Sequence, residues 1–263
     1  MDMLLILPFF ILGLIIGSFL NVVIYRYNTK KSLGGRSACM SCRNKLCWYE
    51  LIPLISFVFL GGRCKSCKTK ISIQYPLVEL ATGLIFALIF LKFQDTMYVD
   101  ITIFIFSFIY YALMFSLLIV IAVYDLKHKI IPDKLALTLG VLAFFGMFLF
   151  TSYGFLPHIP SFLEFLSGVI ISLPFALLWL VSLGAWMGLG DAKLALGLGW
   201  LLGLSRALSS LVIAFWSGAI FGLALIIFTK KYGIKSEIPF APFLVLGAIL
   251  AFLFELHFFP AIF

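Results

Sequence analysis

Two carboxylates and four thiols are the side chains of this sequence whose types and spacing could do chemistry. Asp191 lies in Gly188-Leu189-Gly190-Asp191-Ala192-Lys193, just after an uncharged run from Phe165 to Met187. Asp125 closes another apolar run, Ile101 to Tyr124. A carboxylate at the mouth of a bilayer-length apolar run is costly to bury and points by default to function. The plain alternative is that each acid marks where a helix reaches water. Glycines at 188 and 190 would let the backbone turn tightly and let another chain approach closely. The thiols form Cys39-Met-Ser-Cys42 and Cys64-Lys-Ser-Cys67, separated by the 21 residues from Arg43 to Arg63.

Paired carboxylates without metal ligands suit hydrolysis by an aspartic pair. Like charges held close together cannot both ionise, so the pair shares a proton and titrates as a unit. The ionised partner draws a proton from water, which attacks a carbonyl. The protonated partner stabilises the oxyanion and later protonates the leaving amine. Other chemistries lack their parts: there is no HExxH and no GxSxG, and His128, His158 and His257 are scattered. Asp125 and Asp191 are 66 positions apart on different helices, so the sequence alone does not show that they meet.

The elements that must position these groups are membrane helices. The chain is 63% hydrophobic and only 11% charged, with a mean hydropathy of +1.18. Uncharged stretches of 18 or more residues read as spans. The expected fold is an all-α integral membrane protein of about eight spans. They fall near 3–25, 76–93, 101–124, 135–153, 163–184, 192–205, 207–228 and 239–258. The first run has no basic n-region or small-residue cleavage site, so it reads as a retained helix. The sixth is short, and a short helix can thin the bilayer and admit water towards Asp191.

Residues 26–75 carry Arg26, Lys30, Lys31, Arg36, Arg43, Lys45, Arg63, Lys65, Lys68 and Lys70 against one acid, Glu50. The positive-inside rule makes this segment cytoplasmic. Alternation then puts Asp125, Asp133, Asp191, Lys193, Lys230, Lys231 and Lys235 on the same side, with Asp95, Asp100 and Glu164 outside. The net charge of +8 therefore reads as membrane orientation, not as nucleic-acid binding. The apolar piece Leu51 to Leu60 is too short to span, and reads as interfacial, re-entrant or a small local core.

Four thiolates in two CxxC knuckles can hold a tetrahedral zinc ion. Disulfides or unused thiols are the alternatives, and a cytoplasmic location disfavours stable disulfides. With no histidine or carboxylate in either knuckle, the site reads as closed and structural. Cys47 is left over.

The motifs also resemble a known family. Gly188-Leu189-Gly190-Asp191 resembles the GxGD signature of intramembrane aspartyl peptidases. Asp125-Leu-Lys-His-Lys-Ile-Ile-Pro-Asp133 resembles the other catalytic motif of type IV prepilin peptidases. Gly17-Ser-Phe-Leu-Asn-Val-Val-Ile-Tyr-Arg26, the knuckles, and Tyr75-Pro-Leu-Val-Glu79 are similar to further stretches of that family, in the same order. The resemblance implies a bifunctional leader peptidase and N-methyltransferase of the inner membrane, with Asp125 and Asp191 catalytic and Gly188, Gly190, Lys193 and Asp133 in support. It implies an N-terminal domain over 10–93, a peptidase domain over 104–228 and a last helix within 229–263. The implied substrates are prepilins or pseudopilins, cut after a glycine that ends a basic leader. S-adenosylmethionine would be the methyl donor; no residue is assigned to it. The implied metal is zinc at Cys39, Cys42, Cys64 and Cys67.

Other readings come from different classes: a proton-coupled transporter with a zinc-stabilised loop, and a non-catalytic assembly factor. Supporting residues also have plain explanations. Asp133 could be an N-cap and Lys193 an interfacial lysine. Glu79 could snorkel to the interface or serve the transferase. Asn21 could bond a neighbouring helix. Phe104, Phe106 and Phe108 read as lipid-facing bulk.

Overall fold

The computed structural model describes residues 2–29, 32, 34–151, 153–228 and 237–259. Lys30, Lys31, Lys230, Lys231 and Lys235, used above for orientation, lie outside them. The chain divides into two compact units, Met1–Lys92 and Phe93–Phe263.

In the first unit, α1 (Asp2–Arg26) and most of α3 (Gln74–Val99) flank the cysteine segment and a five-residue helix, α2 (Ile55–Phe59). Between membrane helices, lipid removes the hydrophobic drive, so small residues and hydrogen bonds set the packing. At Gly17 an added Cβ would come within 2.8 Å of the Glu79 backbone, so α1 and α3 touch main chain to main chain. Asn21 donates to the Tyr75 carbonyl at 3.1 Å, and the rings of Tyr25 and Tyr75 stack at 5.1 Å.

The second unit holds α4 (Ile101–His128), α5 (Asp133–Gly146), α6 (Phe162–Ser182), α7 (Leu189–Leu202), α8 (Leu204–Phe228) and α9 (Ala241–Leu253). Helix α7 is the hub, packed on α5, α6, α8 and α9. Ser167 of α6 donates to the Gly199 carbonyl of α7 at 2.9 Å, where the two backbones are too close for a side chain. At the far end of α9, Glu255 pairs with Arg206 at 3.3 Å, and His257 meets Ser205 at 2.9 Å.

Among the described residues, five helices are long and apolar enough to cross a membrane: α1, α3, α4, α6 and α8. The three expected spans that remain are shorter. Helices α5 and α7 have 14 residues each and α9 has 13. At 1.5 Å per residue, 14 residues reach about 21 Å, short of a ~30 Å hydrocarbon core.

Several expected boundaries move. The expected fourth span, 135–153, is cut short: α5 stops at Gly146, where the Tyr110 ring occupies the place of a side chain. A small antiparallel hairpin follows, β1 (Phe150–Thr151) and β2 (Gly154–Phe155), so the unit is not wholly helical. It is held by α4: Tyr111 donates to the Thr151 carbonyl at 3.1 Å and Ser107 accepts the Phe155 amide at 2.7 Å. Asp95 lies within α3 and not in a turn, whereas Asp100 caps α4, accepting the Thr102 and Ile103 amides. These bonds favour the ionised form, led by that from Thr102, and hold Asp100 below the usual carboxylate range. Phe104 and Phe108 are buried, and of the three phenylalanines only Phe106 is exposed.

Candidate functional site

Asp125 sits in the last turn of α4, and its carbonyl accepts the Lys129 amide at 2.7 Å. Lys129 is left-handed (φ 55°), which ends the helix. Asp191 lies in the first turn of α7, not ahead of the helix as the expected span over 192–205 had it. Its amide bonds the Gly188 carbonyl at 3.2 Å. Both side chains are buried, at 5% and 9% exposure.

The glycines act differently from one another. Gly188 has ordinary extended backbone (φ −75°, ψ 148°), so it makes no left-handed turn. The chain reverses earlier, at Leu183 (φ 51°) and Gly184 (φ 83°), where α6 ends. Gly190 serves close approach: a Cβ there would lie 2.9 Å from the Ile131 Cβ. The Asp191 turn is thereby pressed against the segment that follows Asp125.

A second link joins the same two stretches. Lys193 bonds Asp133 at 2.7 Å, an ion pair absent from the sequence reading, which treated each residue separately. The N-cap of α5 is Pro132; Asp133 is the first helical residue and its carboxylate is free to reach Lys193. Neighbouring Leu137, Val141, Phe144, Leu196 and Trp200 line an open apolar groove of about 500 Å³ between α5 and α7.

A further contact arrives from α9. The Ala241 amide donates to Asp125 Oδ2 at 3.2 Å. Nothing in Ala241-Pro-Phe-Leu signals this, because the donor is main chain.

In the first unit, Cys39, Cys42, Cys64 and Cys67 converge, with all four sulfurs within 4.8 Å of one another and no disulfide. Two equivalent turns bring them there. The Cys39 amide bonds the Asn44 carbonyl and the Arg43 amide bonds the Cys39 carbonyl, both at 2.9 Å. The Cys64 amide bonds the Thr69 carbonyl at 2.9 Å and the Lys68 amide bonds the Cys64 carbonyl at 3.0 Å. Arg43 (φ 57°) and Lys68 (φ 58°) are both left-handed. Asn44 also donates to Ser66 at 2.7 Å, tying knuckle to knuckle.

The donor set fits a tetrahedral metal. Metal–sulfur bonds of about 2.3 Å give sulfur–sulfur edges of about 3.8 Å, and Cys39 and Cys67 are 3.8 Å apart. Thr69, through its side chain first and its backbone second, holds the Cys67 thiol down at about 6, which favours the thiolate that a metal needs. Cys47 stays outside the cluster, its amide bonding Glu50 at 2.7 Å.

Glu79 is buried at 7% exposure and does not snorkel. Its carboxylate accepts the Leu54 amide at 2.9 Å, and Leu54 has a positive φ (59°) with ψ −50°. Glu79 thus ties the loop between the knuckles to α3.

The arrangement defines a polytopic helical protein carrying two buried aspartates in one unit and a four-cysteine cluster that could hold a metal ion in the other. Known families match parts of both units. Residues 11–93 match the bacterial peptidase A24 N-terminal domain, and residues 112–223 match the type IV leader peptidase family. The chain is similar to the prepilin leader peptidase/N-methyltransferase of Bacillus subtilis, with 34% identity over 93% of this chain and 92% of the relative. That of Pseudomonas aeruginosa is 32% identical over 92% of this chain and 88% of the relative. That of Myxococcus xanthus is 35% identical over 87% of this chain and 65% of the relative. The chain belongs to the prepilin leader peptidase/N-methyltransferase family. No solved structure matches it.

Proposed function

We propose that this protein cuts the basic leader from prepilins or pseudopilins at the cytoplasmic face of the inner membrane, and then methylates the new N-terminal amine. The observation that supports the reading is that the segments bearing the buried Asp125 and Asp191 pack together, Gly190 against Ile131 and Lys193 on Asp133, in a chain of this family. The curated relatives are named for both activities. A transporter reading has no such support.

The pair shares one proton, because two close buried carboxylates cannot both carry charge. The ionised member takes a proton from water as the oxygen attacks the scissile carbonyl. The protonated member donates to the developing oxyanion and then to the leaving amine. Gly190 and the Asp133–Lys193 pair keep the two motifs in register. Helices α5, α7 and α9 complete eight crossings with the five long ones, and the basic 26–75 segment faces the cytoplasm.

Cys39, Cys42, Cys64 and Cys67 would hold zinc as a structural ion, a reading supported by four thiol donors with no carboxylate or histidine among them. Bound there, it would hold the segment in shape. Methyl transfer draws on S-adenosylmethionine. No residue is assigned to it.

The test is the intact mass of a pilin-like substrate after incubation with the purified protein and S-adenosylmethionine. Loss of the leader with gain of one methyl is expected. An unchanged mass across a panel of such substrates would overturn the reading.

A further inference from the structure

The last helix lies beyond the residues matched by the leader peptidase family, 112–223. Its sequence carries no charged side chain from Ala241 to Leu253. Yet its first residue makes the one hydrogen bond to the Asp125 carboxylate among the described residues. We propose that the N-terminus of α9 is a third component of the aspartate site, a positioning element that fixes Asp125 through the Ala241 main-chain amide. This rests on the peptidase reading of Asp125 and Asp191.

Three observations support it. First, the contact is built and not incidental. Ala241 is fully buried, and the entry to α9 is clamped by Phe240, whose ring packs on Phe215 at 5.1 Å and Phe175 at 6.2 Å, from α8 and α6. Gly247 lets α9 seat directly on the Ser210 carbonyl of α8, one helix turn and more beyond the clamp. Second, the chemistry has the right sign. The first amides of a helix have no partner within it, and they favour a negative group. Third, the geometry divides the carboxylate. Oδ2 accepts the Ala241 amide, and Oδ1 accepts no hydrogen bond among the described residues.

The elements packed around Asp125 carry other titratable groups: Asp191 and Lys193 on α7, Asp133 and Lys134 on α5, and Tyr124, Lys127, His128 and Lys129 at the end of α4. Among these, Asp191 stands next to Gly190, which is pressed against Ile131 in the segment that follows Asp125. On the peptidase reading the two aspartates share a proton, and a bond that favours the carboxylate form of Asp125 biases where that proton resides. The site so described needs helices from both ends of the unit's sequence.

The test removes one N–H; it also weakens the Phe240 carbonyl, which accepts the Phe243 and Leu244 amides at 3.0 and 3.2 Å, as an acceptor. Lactic acid incorporated in place of Ala241 converts that amide to an ester while keeping the side chain. Expected results are a fall in kcat of about tenfold with KM little changed, and a move of the acid limb of the pH–rate profile to higher pH. A second readout does not require cleavage: the pH dependence of Asp125 labelling by dicyclohexylcarbodiimide, followed by mass spectrometry, moves in the same direction. Leu246→Ala, on the exposed face of α9, leaves all three unchanged. Parent-like kcat and labelling in the ester protein would overturn the proposal, as would an equal loss in Leu246→Ala. A shifted labelling profile in a protein that cleaves no pilin-like substrate would leave the α9 contact standing and sink the peptidase reading.

Discussion

The cysteine knuckles repeat one turn twice, each with a left-handed residue after the second thiol, at Arg43 and Lys68. Their backbone hydrogen bonds span nine residues or fewer, and one longer bond from Asn44 to Ser66 joins them. The aspartates share no local geometry. Asp125 is in the last turn of one helix and Asp191 in the first turn of another, and what joins them is packing: Gly190 against Ile131, Lys193 to Asp133, and α9 against both. A site made of local turns can be completed by a metal. A site made of helix packing depends on how closely distant backbones approach.

The contrast is tested most severely at the aspartates themselves. Asp125→Asn or Asp191→Asn removes the shared proton and is expected to lower leader cleavage by about a thousandfold or more, while the protein stays folded. Substrate mass and a thermal melt check the two halves of that statement. Retained cleavage in either variant would break the comparison outright.

Metal removal should divide the two regions. Chelation, or Cys64→Ser, is expected to open residues 38–70 to protease, because structural sites of this kind draw their folding energy from the metal. Methyl transfer should fall with it, and cleavage should fall by less than about tenfold, since the aspartates lie in a separate compact unit. Unchanged protease resistance after metal removal would show that the knuckle turns suffice without an ion.

Gly190→Ala sharpens the packing side. Its new Cβ would sit 2.9 Å from the Ile131 Cβ, so backbone must shift. The expected cost is about 1–3 kcal/mol in stability, with cleavage down roughly tenfold to a hundredfold as the aspartates separate. Gly188→Ala, where the nearest atom is 3.8 Å away and φ is ordinary, should be far milder. Equal effects would mean that close approach is not what the second glycine provides.

The smallest effect belongs to the Asp133–Lys193 pair. Both side chains are substantially exposed, at 72% and 41%. Exposed pairs contribute about 0–1 kcal/mol, so Lys193→Met should alter cleavage by less than about threefold. A double-mutant cycle with Asp133→Asn measures the coupling directly. A larger coupling would promote the pair from a brace to part of the chemistry.

The sequence by itself determined the class of the protein and the cast of its sites. Apolar runs of bilayer length are read directly, because hydrocarbon demands them and little else produces them. The thiol cluster was legible for the same kind of reason: CxxC spacing closes a turn locally, and two such turns leave four donors to converge. The family motifs supplied both aspartates. Where the sequence reading slipped, the deciding contact was tertiary. Helix α5 ends where a tyrosine from α4 fills the place of a Gly146 side chain, and no local signal announces that. Phe104 and Phe108 turned inwards because in lipid an apolar side chain pays no penalty on either side, so hydropathy does not fix which way it faces. The Ala241 amide reached Asp125 because every residue carries a backbone donor, and only the packing of α9 decides which one is aimed. Side-chain chemistry is written in the order of residues; main-chain chemistry and close approach are settled when the helices meet.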